Sequence, residues 1–560
     1  MTAFKKHLIR YMVSVYLYFF SQTFLLGQEE ALPKQEQTGV ESEADAAEIP
    51  QEPVVDDQAV EKKIFIIKTI NFDAKGGKLW RSRAFALIYH GKFQEGEILE
   101  GADALEQYIK DKTQLLLNQR VLESAEISYT VGQADGDGVT PVDLLVKTVD
   151  TWNIIALPKP SLDSNNGFAI SINARDYNFL GTMSPLRLNI GYEHREAEEQ
   201  VSPIKDVFNF ELDSDTPFRL FGLNWNLDFD HLFAYALIGG DGTFSYKNIT
   251  GLSAELPLRK TTITTGFEQK FILNEENPER YVAEYGNYAD FYMANRVYAS
   301  WEIPLGVSMY NFGELTYTPE VSMNVNYRPD GELEFWRKGP SITFSHRVGF
   351  GRINWLGNFR SGLEGSISNS NTYNFYSRGW SNNYGISLKG HKLFTDWFGV
   401  SSFFQVRQWF FYDPASADEG YPPYTEVGDA LRGVSNKSAK AFDKDYMISL
   451  NLDFTFRILR FIPSVWLHSR KLRFFDFDMH LVPFIDIALM QGHISERADA
   501  IPTPQGILAS AGLELIVFPA FMRSFYLRAS LGYNLTKFLE TGDFPKPYGD
   551  EYFIGIGHHY

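Results

Sequence analysis

Eleven histidines and not one cysteine set the first limit on what this chain can do chemically. Without thiols there is no disulfide, no thiolate zinc site, no cysteine nucleophile and no lipidated N-terminal cysteine. The histidines are scattered. The adjoining pair, His558 and His559, falls in a strand pattern, where neighbours point to opposite faces, so they do not converge on a metal. No Gly-x-Ser-x-Gly, phosphate loop, dinucleotide fingerprint or paired metal-ligand motif occurs, and no Ser/His pair can be singled out. We therefore expect a non-enzyme with no cofactor and no metal. A formal charge of −18 excludes a general nucleic-acid binder, which needs a basic face to neutralise phosphates. What remains is backbone chemistry: the pairing of strand edges, and the few charged side chains that could hold a loop or a strand in place.

The elements that would position such groups are strands. From Phe168 onward, residues alternate with period two over long stretches. Phe168, Ile170, Ile172 and Ala174 oppose Ser171, Asn173 and Arg175. Phe221, Leu223, Trp225, Leu227 and Phe229 oppose Asn224, Asn226, Asp228 and Asp230. Tyr446 to Ile458 and Phe525 to Tyr533 repeat the pattern. One face is fully polar and the other strongly apolar. Aromatics make up 15% of the chain, yet mean hydropathy is −0.23, too low for a bundle of membrane helices. Strands of ten residues or more suit a tilted crossing of ~9–11 residues. In lipid no backbone group can go unpaired, so the sheet must close. The expected fold is an all-β transmembrane barrel with its apolar face to lipid and a wet lumen. At roughly 25 residues per strand and connection, the region holds about sixteen antiparallel strands.

Ahead of the barrel the chain changes character three times. Residues 1–27 carry Lys5, Lys6 and Arg10 before an apolar run, the form of a signal peptide. Residues 28–62 are acidic and proline-bearing with no aromatic, and read as a disordered linker. Residues 63–153 read as a small α+β module in the order β-α-α-β-β. Ile64 to Phe72 form its first strand. Ser82 and Asp103 are positioned to cap two helices, and Val121–Val131 and Val142–Val149 form the closing strands. The barrel occupies residues 154–560.

The module resembles the POTRA domain that precedes outer-membrane assembly barrels. Its carriers are Leu115-Leu116-Leu117-Asn118-Gln119-Arg120-Val121-Leu122-Glu123-Ser124-Ala125-Glu126-Ile127 and Val142 to Val149. Three barrel segments extend the likeness to the BamA/TamA/Sam-type superfamily of assembly and translocation barrels (the bacterial surface antigen barrel). Asp176-Tyr177-Asn178-Phe179-Leu180-Gly181-Thr182 resembles that superfamily's first-hairpin turn. Leu431-Arg432-Gly433-Val434 resembles its loop-6 motif, with Val434 in place of the usual aromatic. Phe484-Ile485-Asp486-Ile487-Ala488 resembles its Asp strand, with Ala488 in place of the usual glycine.

The resemblance implies that Arg432 enters the lumen and pairs with Asp486, Gly433 allowing a close approach to the wall. It also implies a lateral seam between the first strand (Phe168, Ile170, Ile172 to Arg175) and the last (Tyr552, Ile554, Gly555, Gly557, Tyr560), which opens to a client strand. The two glycines weaken the last strand. The expected function is insertion of outer-membrane proteins in the outer membrane of a diderm bacterium, with the module in the periplasm. The partners would be client outer-membrane or secreted proteins, periplasmic chaperones or accessory lipoproteins, and the lipid bilayer. The alternatives are a secretion translocator of the same superfamily, a passive porin or transport channel, and a surface structural protein.

Overall fold

The computed structural model describes residues 63–77, 79–134, 138–163, 167–195, 205–238, 241–274, 291–308, 313–329, 333, 337–412, 431–434, 442–494, 506–542 and 551–556. The expected signal peptide and acidic linker, and Gly557, His558, His559 and Tyr560, lie outside the described residues.

The N-terminal module begins with β1 (Ile64–Gly76), a helix (Ala84–Gly91) and a three-residue strand β2 (Ile98–Glu100). A second helix (Ala102–Asn118), β3 (Leu122–Val131) and β4 (Val139–Asp150) complete it. The sheet order is β2-β1-β4-β3, with β1 parallel to β4. Period-two burial of Thr140, Val142, Leu144 and Val146 on β4 faces the i, i+3, i+4 stripe of Leu105, Tyr108, Lys112 and Leu116 on the second helix. Ile67, Leu87, Leu116, Leu122 and Leu144 form the fully buried centre. Neither expected cap is used. The helix N-caps are Arg83 and Gly101, without side-chain cap bonds. Asp103 sits inside the first turn, where its charge faces the positive end of the helix dipole. Ser82 instead donates to Asp150, at 2.7 Å from its hydroxyl and 2.8 Å from its amide.

The barrel is one closed antiparallel sheet running from β5 (Ile154–Asp163) and β6 (Gly167–Asp176) to β22 (Glu551–Ile556), which bonds back to β5. Along β6, Ile170 and Ile172 stand exposed while Ser171 and Asn173 turn to the lumen, where Asn173 bonds Ser171 and Asn189. The same alternation leaves Ile190, Phe208, Val297, Ile367 and Ile554 exposed on the outer wall, Ile367 at 60% and Ile554 at 57%. Such an unbroken apolar belt belongs in lipid.

Among the described residues the barrel has eighteen strands, two more than the sixteen expected. Two physical reasons account for the difference. Several hairpins turn in two residues, at Phe221-Gly222, Arg259-Lys260 and Gly357-Asn358, so the residues per strand are fewer than assumed. And β5 carries Pro158 and Pro160, which mark a segment as non-strand in a sequence reading but are tolerated at a position of reduced pairing.

A closed sheet of this length resists detergent until heated. Unboiled protein should migrate faster than boiled protein on a denaturing gel, and the protein should require detergent. A water-soluble monomer without detergent would contradict the lipid-facing belt.

Candidate functional site

The Leu431–Val434 segment is buried within the barrel against β18 (Phe442–Phe461), β19 (Phe477–Ile494), β20 (Gly506–Pro519) and β21 (Leu527–Asn534). Arg432 is 4% exposed and Asp486 is 0% exposed. The Arg432 guanidinium donates to both Asp486 oxygens, at 2.9 and 2.8 Å, and its backbone N–H adds a third bond at 3.0 Å. The same planar fork donates to Asp453 at 2.7 Å and Glu514 at 3.2 Å. Its carbon lies 3.8 Å above the centre of the Phe484 ring, the π face of which supports a cation. Arg528 stands 3.6 Å from Glu514. Three carboxylates thus face two guanidinium groups.

The spacing that builds this cluster is cross-strand register. Asn451 pairs with Asp486, and Asp486 with Ser510, so lumen-facing residues of β18, β19 and β20 align in rows. Gly433 adopts φ +79°, and a Cβ there would lie 2.7 Å from the Tyr533 amide nitrogen. A Cβ on Gly532 would lie 2.4 Å from the Gly433 Cα. The loop and β21 therefore touch backbone to backbone, which only glycine on both sides permits. Ala488, fully buried, packs with Leu431, Val434, Met447 and Leu508. That apolar seat suits Val434 and replaces an aromatic plug by aliphatic packing.

Sequence reasoning singled out Arg432, Gly433 and Asp486. It missed Asp453, Glu514, Arg528 and Gly532, because register across four strands decides which charges meet. It also expected a wet lumen, in which the Arg432 pair would contribute little. At this cluster the structure is dry: Arg432, Asp486 and Glu514 are 4%, 0% and 3% exposed. The nearby cavity, lined by Asp453, Glu514, His480, Trp355 and Phe518, holds about 30 Å³, room for a water or two.

The module docks on the other side of that cavity. Arg120, at φ +56° just past the second helix, stacks on Trp355 at 4.0 Å and donates to the Gly357 and Arg523 carbonyls and to Asn358. Burial pulls its pKa down to about 10, still charged at neutral pH. Asn118 bonds Asn354 and the Trp355 amide. The Asp176–Thr182 turn serves the same contact. The Gly181 carbonyl accepts from the Arg83 amide at 3.0 Å, Asn178 donates to Ser82 at 3.1 Å, and Met183 joins the module's core.

The seam is displaced from its expected place. Phe168, Ile170 and Ile172 belong to β6, the second barrel strand, and the strand that meets β22 is β5. Tyr552, Ile554 and Gly555 lie in β22 as expected. The first strand was placed at Phe168 because clear period-two alternation starts there, whereas β5 before it carries Pro158 and Pro160. Because the prolines are two residues apart, both missing donors point toward the same neighbouring strand.

A Ser/His pair does exist in the lumen: His391 Nδ1 lies 2.7 Å from Ser401 Oγ, on paired strands. Among the described residues, His391 Nε2 has no partner, so no acid orients the ring as a nucleophile's base requires. Both residues are buried, and we read the pair as structural.

A membrane-spanning barrel with an arginine loop pinned inside it and one module docked at its mouth resembles the BamA/TamA/Sam-type superfamily. No family model and no curated protein matches the chain. Among solved structures it is similar to CdiB from Acinetobacter baumannii at 16% identity and a TM-score of 0.45, covering 88% of this chain and 73% of that one. It is similar to BamA from Haemophilus ducreyi lacking POTRA domains 1–3 at 13% and 0.34, covering 88% and 83%. CdiB from Escherichia coli stands at 10% and 0.36, covering 90% and 92%.

Removing one member of a dry ionic cluster costs about 3–5 kcal/mol. Arg432→Ala should sit at the top of that range, since it strands three carboxylates, and Asp486→Ala lower, since Asp453 and Glu514 still hold the guanidinium. Denaturation in detergent should show the double variant non-additive by more than about 1 kcal/mol. Additive effects would refute the pairing. Arg432→Lys should not restore stability, because one ammonium cannot meet three carboxylates in a plane. Separately, Arg120→Ala should speed proteolysis between module and barrel while leaving heat-modifiable migration intact. An unchanged cleavage rate would show that Arg120 does not hold the module.

Proposed function

We propose that the chain is an outer-membrane assembly barrel that inserts client barrel proteins by lateral opening, with the module in the periplasm. One observation supports this reading above the rest: the closure between β5 and β22 is built to be weak. The closing strand β22 contains Gly555, which offers no side chain to pack across the closure. Its partner β5 lacks two backbone donors, at Pro158 and Pro160. A client strand that pairs with a freed edge avoids the cost of unpaired backbone in lipid.

The module supplies a landing edge. The β1 edge of its sheet is partly covered by β2, and β3 leaves ten residues on the other edge, with Tyr129 and Val131 exposed. An extended client can add to such an edge, its backbone giving affinity without sequence demands. The mechanism is mechanical, with no covalent step. Chaperones that hold unfolded clients and accessory lipoproteins at the module are the partners this mechanism would use. Passive transport fits poorly with a buried loop on one wall and a docked module at the mouth.

Secretion of a dedicated partner uses the same parts. Depletion separates the readings. Loss of many outer-membrane barrels supports insertion, loss of one secreted protein supports translocation, and loss of neither refutes both. Cysteine pairs scanned between Ile155 or Ala156 and Ile554 or Gly555 should crosslink in the cysteine-free chain and halt assembly with the barrel still folded. Full activity in a quantitatively crosslinked variant would remove lateral opening.

A further inference from the structure

Between β18 and β19 the chain makes an excursion of two short helical turns, Pro463–Trp466 and Arg470–Phe475. It differs from the two-residue turns elsewhere at this end of the barrel. Val465, Trp466, Leu467, Phe474 and Phe475 are all more than half exposed, Leu467 at 67%. Lys471 is exposed beside them, and Arg473 is 37% exposed.

The direction of this patch follows from register. On β19 the even-numbered residues His480, Val482, Phe484 and Asp486 are buried in the lumen, so Phe477 stands on the outer wall. Phe461 pairs with Phe477 across the strands and packs on it at 5.4 Å between ring centres. Trp466 packs edge-on against Phe461 at 5.2 Å. The excursion therefore continues the lipid-facing wall past its rim, with Trp466 leaning on that wall. Nearby, Trp397 stacks on Phe456, and Phe398 packs on the same ring at 4.8 Å.

We infer that the Pro463–Phe475 excursion is an interfacial anchor that seats Trp466, Leu467 and Phe475 among the acyl chains and Lys471 and Arg473 at the phosphates of the phospholipid leaflet on the module's side. Two physical arguments fix that occupant. The patch is continuous with a surface that already contacts lipid, and cations beside aromatics match the boundary where apolar chains meet anionic headgroups. The anchor also grips the module. Arg473 lies 2.7 Å from Glu123 on β3, and Phe474 stacks on Phe521, which meets Trp152 at the junction of module and barrel. The bilayer thereby sets the tilt of the module as well as of the barrel.

The absence of native cysteines makes the test direct. Leu467→Cys carries an environment-sensitive fluorophore in the full chain, folded into phosphatidylcholine vesicles with or without phosphatidylglycerol. The same label at Leu79, an exposed position on the module, reports water. The label at 467 should emit at shorter wavelength, be quenched by a nitroxide near the headgroup, and be several-fold less accessible to iodide than the label at 79. Adding phosphatidylglycerol should strengthen the protection, and Lys471→Glu should abolish that increment. Equal iodide access at 467 and 79, in protein whose heat-modifiable migration shows a folded barrel, would overturn the anchor. Protection without any dependence on phosphatidylglycerol or on Lys471 would overturn the headgroup contact.

Discussion

A sheet inside a bilayer cannot leave a backbone N–H or C=O unpaired, and the rest of this molecule answers to that constraint. It forces eighteen strands to close on themselves. It sets the alternation of apolar and polar side chains, since one face meets lipid and the other the lumen. It also makes the single closure between distant parts of the chain the place of lowest resistance. Each sequential hairpin forms locally, but β5 and β22 meet only when everything between them is folded. Prolines in β5 and a glycine in β22 weaken that one closure.

The charged cluster inside the lumen acts on the same wall. A guanidinium in water contributes little to a fold, and a buried unpaired one is costly. Arg432 escapes both limits by meeting three carboxylates on three successive strands, with Phe484 beneath it. No single pair accounts for it. The Asp486 carboxylate receives a bidentate contact and a backbone N–H, Asp453 and Glu514 receive one bond each, and Arg528 offsets part of the excess negative charge. The loop is held by a planar group that fits a curved wall, so its position depends on strand register as well as on its own Arg432 and Gly433.

Much of the architecture was legible in the sequence because period-two alternation reports directly which face meets lipid. The approach of Arg432 to Asp486 followed from the resemblance. Three things were not legible. Pro158 and Pro160 disguised β5, because proline weighs against a strand unless the strand is known to sit at a weak closure. Asp453, Glu514 and Gly532 became neighbours of the loop only through pairing across several strands. Ser82 looked like a helix cap, but its hydroxyl donates to Asp150 and accepts from Asn178, so tertiary contact overrode the local motif. The Asp176–Thr182 turn was visible as a motif, yet its use as the module's seat could not be read from one chain segment.

Plug and seam are connected by their order around the barrel. Arg432 reaches β18 through Asp453, β19 through Asp486 and β20 through Glu514, and Gly433 lies against Gly532 on β21. The pinned loop thus braces four consecutive strands into a block that ends one strand short of the closure. Beyond it hangs β22, held to β21 over six residue pairs, from Leu527 with Ile556 to Gly532 with Glu551, and by Arg528 over the Phe553 ring. On the opposite side, β5 enters directly from the docked module through Thr151, Trp152 and Asn153. A pull on the module is therefore delivered to β5, while the loop keeps the block on the far side of β22 from following. On the lateral-opening mechanism proposed above, strain concentrates where this block meets the tethered strand, at the β5–β22 junction.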